Sequence, residues 1–311
     1  MKKTLHWTQI EERGMIWSIW LLLRIYQLFG RMFLQLFLYP VVLYYWLTHR
    51  QARQASQAYL NRLAVFSPSL KLSGSFFWSF RHFSSFANAI IDKLAAWSGA
   101  LSQTDVEYYG RNELIARISK GQGAVLLGSH LGNLEVCRVI ADFDKTIHIN
   151  VLLDNKHAQK FNQLLKQTSD NSQLNLIQIT EITAATSMVL RNKINNGELV
   201  IIAADRTPVS NQQRVTKVTF MGADALFPQG PFILASLLEC PVYTVFCLKQ
   251  HSKNVIYFDL FSDSLMFPRK TREEAMQKMI QRYAECLQTY CLKEPLQWFN
   301  FFDFWHSSYD E

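Results

Sequence analysis

Acidic residues are nearly missing from the opening of this 311-residue chain. Up to Ile91 there are only Glu11 and Glu12, against ten lysines and arginines running from Lys2 to Arg81, and this stretch carries the whole net surplus of +7. A basic, apolar opening excludes an acidic solvating tail and suits an anionic membrane face or an acidic protein partner. Nucleic acid is not expected as a partner, because the bases are interleaved with apolar runs and no nucleic-acid motif occurs. Cysteine is scarce and odd in number, five in all with no CxxC pair. That excludes a disulfide framework and leaves reduced, buried thiols. Repeats and low-complexity tracts are also missing, which removes solenoids and disordered linkers. No small-residue cleavage site follows the apolar run, so a removable signal peptide is not expected. His130, His148 and His157 lack ligand spacing, and no metal is expected.

What is present is grease. Apolar residues make up 49% and charged residues 18% of the chain, a globular composition with extra apolar surface. Met15 to Leu47 is the most apolar part. Arg24, Gln27, Arg31 and Gln35 fall at helical spacing and form one polar stripe there. The pattern predicts a helix in the membrane interface, with Arg24 and Arg31 reaching headgroups. Met32 to Leu47 is uncharged but short, and Pro40 is expected to interrupt it, so a span is marginal; a core helix pair is the remaining alternative. Further helices are expected over His49–Leu63 and Phe76–Trp97.

From Val106 the pattern changes to strands alternating with helices. Strands are expected at 106–110, 124–127, 147–153, 174–179, 199–204, 215–220, 241–248 and 254–261, the last two as a hairpin. Helices are expected at 112–120, 156–167, 183–195 and 231–238, and after Gly132. A last helix opens at Thr271, with Glu274 completing a capping box. The fold class is therefore α/β: a mixed, largely parallel sheet flanked by helices. Residues 1–100 form a hydrophobic, basic, helical membrane-attachment region, and residues 101–311 the α/β domain.

The organising stretch is Gly121 to Arg138. An apolar strand, Ala124 to Leu127, ends in Gly128-Ser129-His130, and ligands of α/β sheets bind beyond such strand ends. Glu135 lies five residues past His130. In an unbroken helix the two would point about 140° apart, so they meet only if Gly132-Asn133 bends the chain. A carboxylate beside the imidazole would make His130 a general base for a hydroxyl nucleophile. The spacing alone more often marks a surface pair than a catalytic one. Asp205-Arg206 follows another buried strand and is the second candidate piece, with Arg206 suited to a phosphate or an oxyanion. The competing reading is an ordinary Asp-Arg turn. Gly222 and Gly230, set among Phe220, Phe227 and prolines, could let a chain-like substrate pass close to backbone, or could simply turn the chain. The tail from Trp298 to Trp305 either closes the core or lines an apolar slot.

These pieces together resemble the bacterial lipid A biosynthesis acyltransferases (lauroyl and myristoyl transferases) and the wider lysophospholipid-acyltransferase-like superfamily. His130-Leu131-Gly132-Asn133-Leu134-Glu135 matches that family's H-x4-D/E motif after a strand of the type AVLLGSH. Asp205-Arg206 falls at its acidic turn, Phe220-Met221-Gly222 with Pro228 and Gly230-Pro231 at the next block, and Trp298 to Phe302 at the closing aromatic block. The likeness covers nearly the whole chain. One departure is Asn155-Lys156-His157, where lipid A enzymes usually carry an Arg-Pro-type block; this points the acceptor away from a lipid A precursor and toward the glycolipid branch of the family. Phe227-Pro228-Gln229-Gly230 is similar to the FPEG motif of glycerol-phosphate acyltransferases only by accident of composition.

The resemblance implies an O-acyltransferase at the cytoplasmic face of a bacterial inner membrane. Acyl carrier protein or acyl-CoA would supply the acyl thioester, with no other cofactor, and a lipid or glycolipid hydroxyl would accept the chain. His130 would be the base and Glu135 its partner. Asn133, Asp205, Arg206, Gly222 and Gly230 would contact substrate, and the oxyanion would meet backbone N–H groups near Gly132-Asn133 or Arg206. The alternatives are a thioesterase or lipase-type hydrolase using the same dyad, or a non-catalytic lipid-binding membrane protein.

Overall fold

A computed structural model describes residues 15–97, 100–136, 147–153, 174–178, 183–207 and 214–305. The expected helix over 156–167 and the Asn155-Lys156-His157 block lie outside these residues.

Three long helices open the described chain: α1 (Met15–Thr48), α2 (Arg50–Phe66) and α3 (Phe76–Trp97). The helix runs through Pro40, and α1 breaks instead at Gly30, where φ is 76° and ψ is −175°. Proline removes one backbone donor but keeps a helical φ. A positive φ combined with an extended ψ is a region essentially reserved for glycine. Within α1, Arg24–Thr48 has a mean hydropathy of 1.3 and is long and apolar enough to cross a membrane.

The polar stripe of α1 is turned largely toward the protein. Arg31 pairs with Asp92 of α3, Gln35 donates to Asn88 at 2.7 Å, and the Trp46 indole donates to Ser79 at 3.2 Å. Leu34, on the same side, is fully buried, while Leu28 (74%), Met32 (84%) and Leu36 (72%) are exposed on the other side. The outward face of α1 is therefore apolar.

The rest is the mixed α/β architecture read from the sequence. The strands are β1 (Val106–Tyr109), β2 (Ala124–Gly128), β3 (Ile149–Leu153), β4 (Leu174–Gln178), β5 (Leu199–Ala203), β6 (Val215–Phe220), β7 (Ala223–Pro228), β8 (Val242–Gln250) and β9 (Lys253–Ser262). Seven form one sheet in the order β1-β9-β8-β2-β5-β3-β4. All its pairs are parallel except β8 with β9, the expected hairpin. β6 and β7 form a separate antiparallel pair, and β7 had no counterpart in the sequence reading.

Between and after the strands come α4 (Arg111–Ile118), α5 (Ala184–Asn195), α6 (Gly230–Leu238) and α7 (Arg272–Lys293). Thr183 caps α5 by accepting from the Thr186 N–H at 3.2 Å. Thr271 makes no side-chain cap to α7: its ψ of 23° lies outside the extended region from which a cap hydroxyl reaches back over the first turn.

β2 is buried along its whole length. Val125 and Leu127 face one core layer with α7 and Trp298, while Ala124 and Leu126 face the other with Leu34, Ile91 and Val245. Burial on both faces explains why this strand reads as a continuous apolar run. It also places the chemistry, because β2 is flanked directly by β5 and β8.

Candidate active site

The site grows from one register. Gly128 of β2 is opposite Ala203 of β5, and the Ala204 N–H donates to the Gly128 carbonyl at 2.9 Å. Two residues beyond each of these strand ends come His130 and Asp205, side by side. The His130 ring Nδ1 lies 2.8 Å from Asp205 Oδ1, and the His130 backbone N–H donates to Asp205 Oδ2 at 2.9 Å. The Trp298 indole N–H donates to that same Oδ2 at 3.0 Å. Asp205 is fully buried, whereas 36% of the His130 side chain stays accessible.

The charge states follow from these contacts. Burial alone would raise the Asp205 pKa, but His130, Arg206 and the donated N–H outweigh it and hold the carboxyl below its usual range. An ionised carboxylate only accepts, so His130 carries its proton on Nδ1 and leaves Nε2 as the basic lone pair. Burial pushes the imidazole below its ordinary pKa of 6.5; Asp205 pulls it back up, and the cations Arg206 and Lys93 push it down again. The ring is thus a neutral base at neutral pH.

Gly132 makes the turn that follows. Its φ is +70°, and a Cβ there would lie 1.8 Å from the Cys247 carbonyl oxygen. The bend lets residues 131–133 run between β8 and the C-terminal segment. The Gly132 N–H donates to the Gln297 carbonyl at 2.8 Å, the Asn133 N–H to the Cys247 carbonyl at 2.9 Å, and the Phe299 N–H to the His130 carbonyl at 3.0 Å. Leu131 bridges Trp298 and Gly132 bridges Cys247. Those two N–H groups, one expected source of oxyanion stabilisation, are therefore spent on carbonyls.

Arg206 is fixed beside the dyad. Its Nε donates to Asn300 Oδ1 at 2.5 Å and its Nη2 to the Phe299 carbonyl at 2.7 Å, with Phe302 stacked 5.5 Å from the guanidinium. Burial lowers the Arg206 pKa, partly countered by Asp205. It remains a cation.

The structure thus brings together His130, Asp205 and Arg206. Asp205, expected to touch substrate, has both oxygens engaged inside the protein. The Glu135 backbone lies in the 3₁₀ turn Leu134–Val136, and its side chain lies outside the described residues. Asn133 donates its side-chain amide to the Ala89 carbonyl of α3 at 3.2 Å. Gly222, at φ +75°, turns the β6–β7 hairpin, and Gly230 opens α6. The hairpin reaches the site through Phe220, whose ring packs 5.4 Å from Trp298. Trp298 and Asn300 were legible only as part of an aromatic tail; an asparagine among six aromatics was the available hint of a polar task. Among the described residues no three His, Cys, Asp or Glu side chains converge as a metal site.

Residues 79–307 match the family model for bacterial lipid A biosynthesis acyltransferases. The chain belongs to this family. It is an acyltransferase, and the match begins within α3 and takes in the whole α/β part, including His130, Asp205, Arg206 and Trp298. No curated protein matches this acyltransferase. The family is typically membrane-associated and bacterial, and this chain carries an apolar N-terminal helix.

Proposed function

We propose that this acyltransferase moves a fatty acyl chain from a thioester, on acyl carrier protein or coenzyme A, to a hydroxyl of a lipid or glycolipid acceptor at the cytoplasmic face of the inner membrane. The observation that carries the proposal is the His130–Asp205 pair: a sealed carboxylate on one ring nitrogen and an accessible ring with its other nitrogen basic. His130 Nε2 takes the acceptor hydroxyl proton as the oxygen attacks the thioester carbonyl. The C–S bond then breaks, and the leaving thiolate takes the proton from the imidazolium. Arg206 supplies the positive charge facing the oxyanion. Glu135 is the second carboxylate of the motif, and its assistance to His130 is part of the proposal. Asn133, Gly222 and Gly230 border the acceptor and chain path.

For the membrane, the favoured arrangement is attachment in the plane. The second half of α1 is fastened along α3 by Arg31–Asp92, Gln35–Asn88 and Trp46–Ser79. A crossing α1 would drag the charged face of α3 into hydrocarbon. Lying flat, its exposed apolar side enters the lipid and the basic flanks meet headgroups, with Arg24 and Arg31 at that boundary.

The test is transfer of a radiolabelled lauroyl chain from its thioester to a bacterial glycolipid extract, using the full chain in membranes. His130→Ala is expected to lose transfer by about 100-fold or more. Near-normal transfer by that variant would sink the mechanism, and free fatty acid as the sole product would indicate a hydrolase.

A further inference from the structure

His82 is a fully buried polar residue in an aromatic setting. The rings of Phe301, Tyr59 and Phe299 lie 4.7, 5.5 and 6.2 Å from it. Both of its nitrogens are engaged: Nε2 is 2.9 Å from the Trp298 carbonyl oxygen, and Nδ1 is 3.0 Å from Ser56 Oγ. A carbonyl only accepts, so the proton sits on Nε2, and Nδ1 accepts from the Ser56 hydroxyl. Burial, only partly offset by the Trp298 carbonyl, lowers the imidazole to about 4. His82 is neutral at physiological pH and donates one fixed hydrogen bond.

That bond lands on the residue whose indole holds Asp205. Trp298 is fully buried and tied at two ends: its carbonyl accepts from His82 and, at 3.0 Å, from the Asn300 N–H, and its indole N–H donates to Asp205 Oδ2. The chain Ser56, His82, Trp298, Asp205, His130 therefore joins α2 and α3 to the reactive base. An apolar side chain would fill the same space without having to be hydrogen-bonded.

We propose that His82 is a positioning residue for acyl transfer: by holding the Trp298 carbonyl it aims the indole N–H at Asp205, and so sets the orientation and basicity of His130. No proton travels along the chain, because saturated carbons separate the Trp298 carbonyl from its indole. The groups facing His130 are Asp205 and Arg206 from the end of β5 and Lys93 from α3. The indole proton draws charge from Asp205. When its aim is lost, more of that charge acts on His130 and the imidazole holds its proton more tightly.

The kinetic arm of the test rests on the acyl-transfer reading, so a second arm does not. The full chain in detergent micelles, with ¹³C-labelled histidine, reports the His130 titration by NMR; thioester-to-glycolipid lauroyl transfer reports kcat and KM. His82→Leu is expected to move the His130 midpoint upward and to lower kcat by about 10- to 100-fold with KM little changed, as small misplacements of catalytic groups do. His82→Gln, which keeps an N–H toward the Trp298 carbonyl, is expected to restore most of both. A folded His82→Leu with an unmoved midpoint and normal kcat overturns the proposal, as does a Gln variant no better than Leu. Should His82→Leu fail to fold, His82→Met carries the test: it fills the space without an N–H for the Trp298 carbonyl, and an unmoved midpoint again overturns the proposal. A moved midpoint in a protein without transfer activity would uphold the positioning role and reject the acyl-transfer reading.

Discussion

The indole N–H of Trp298 lies 3.0 Å from the Asp205 oxygen that the His130 ring does not use. With the ring on Oδ1 and two N–H donors on Oδ2, the carboxylate cannot rotate without losing all three bonds. A buried acid held in this way fixes one tautomer and one orientation of the base.

The first prediction separates the two carboxylates. Asp205→Asn keeps the shape but replaces the acceptor of the His130 Nδ1 proton, and is expected to lower kcat on the order of 10³-fold or more. Glu135→Gln is expected to cost less, because Nδ1 keeps its partner. Equal losses in the lauroyl-transfer assay would assign Glu135 a comparable part.

The second concerns pH. The base works only when unprotonated, and His130 has its pKa lowered, by burial first and then by Arg206 and Lys93 against the pull of Asp205. Activity should therefore rise with pH, reach half its plateau below 6.5, and be flat through neutrality. Lys93→Gln removes one of the cations and should shift that half-point upward. A half-point above the ordinary histidine value in the wild type would contradict the assigned environment.

The third concerns Arg31, whose partner Asp92 is 4% exposed and also lies 3.5 Å from Lys249. Arg31→Leu leaves Asp92 with Lys249 alone. Stability measured by thermal unfolding in micelles should fall by about 1–3 kcal/mol. Binding to anionic vesicles should fall as well if Arg31 also serves headgroups through its exposed portion; unchanged binding would confine it to holding α1 on α3.

The fourth is Gly132→Ala. The new methyl would meet the Cys247 carbonyl oxygen at 1.8 Å, on backbone with φ +70°. The segment cannot stay between β8 and Trp298, and a loss of about 2 kcal/mol or more is expected, with activity falling alongside. A variant with wild-type melting and rate would show that the turn is not needed.

Much of this was legible in the sequence because the signals are local. Glycine-bounded apolar runs mark β2 and β5, and His130 and Asp205 stand just past them. What sequence order does not contain is strand order. Glu135 is the near carboxylate along the chain, but Asp205, 75 positions from His130, becomes its neighbour because β5 lies parallel to β2. The polar stripe of α1 was equally visible. Helical spacing says which residues share a face but not what that face meets, and Arg31 and Gln35 found α3. Proline and glycine compete as helix breakers in α1, and the break went to Gly30, whose φ of 76° with ψ of −175° is a combination essentially reserved for glycine. Trp298 and His82 gave no separate signal, since aromatic residues among aromatics read as core.

The bridge from Leu131 to Trp298 has a temporal consequence. During synthesis the imidazole emerges from the ribosome some 170 residues ahead of the asparagine that grips Arg206. Until that late segment has docked, the base has neither its aimed carboxylate nor its cation, so a growing chain already touching lipid is chemically silent.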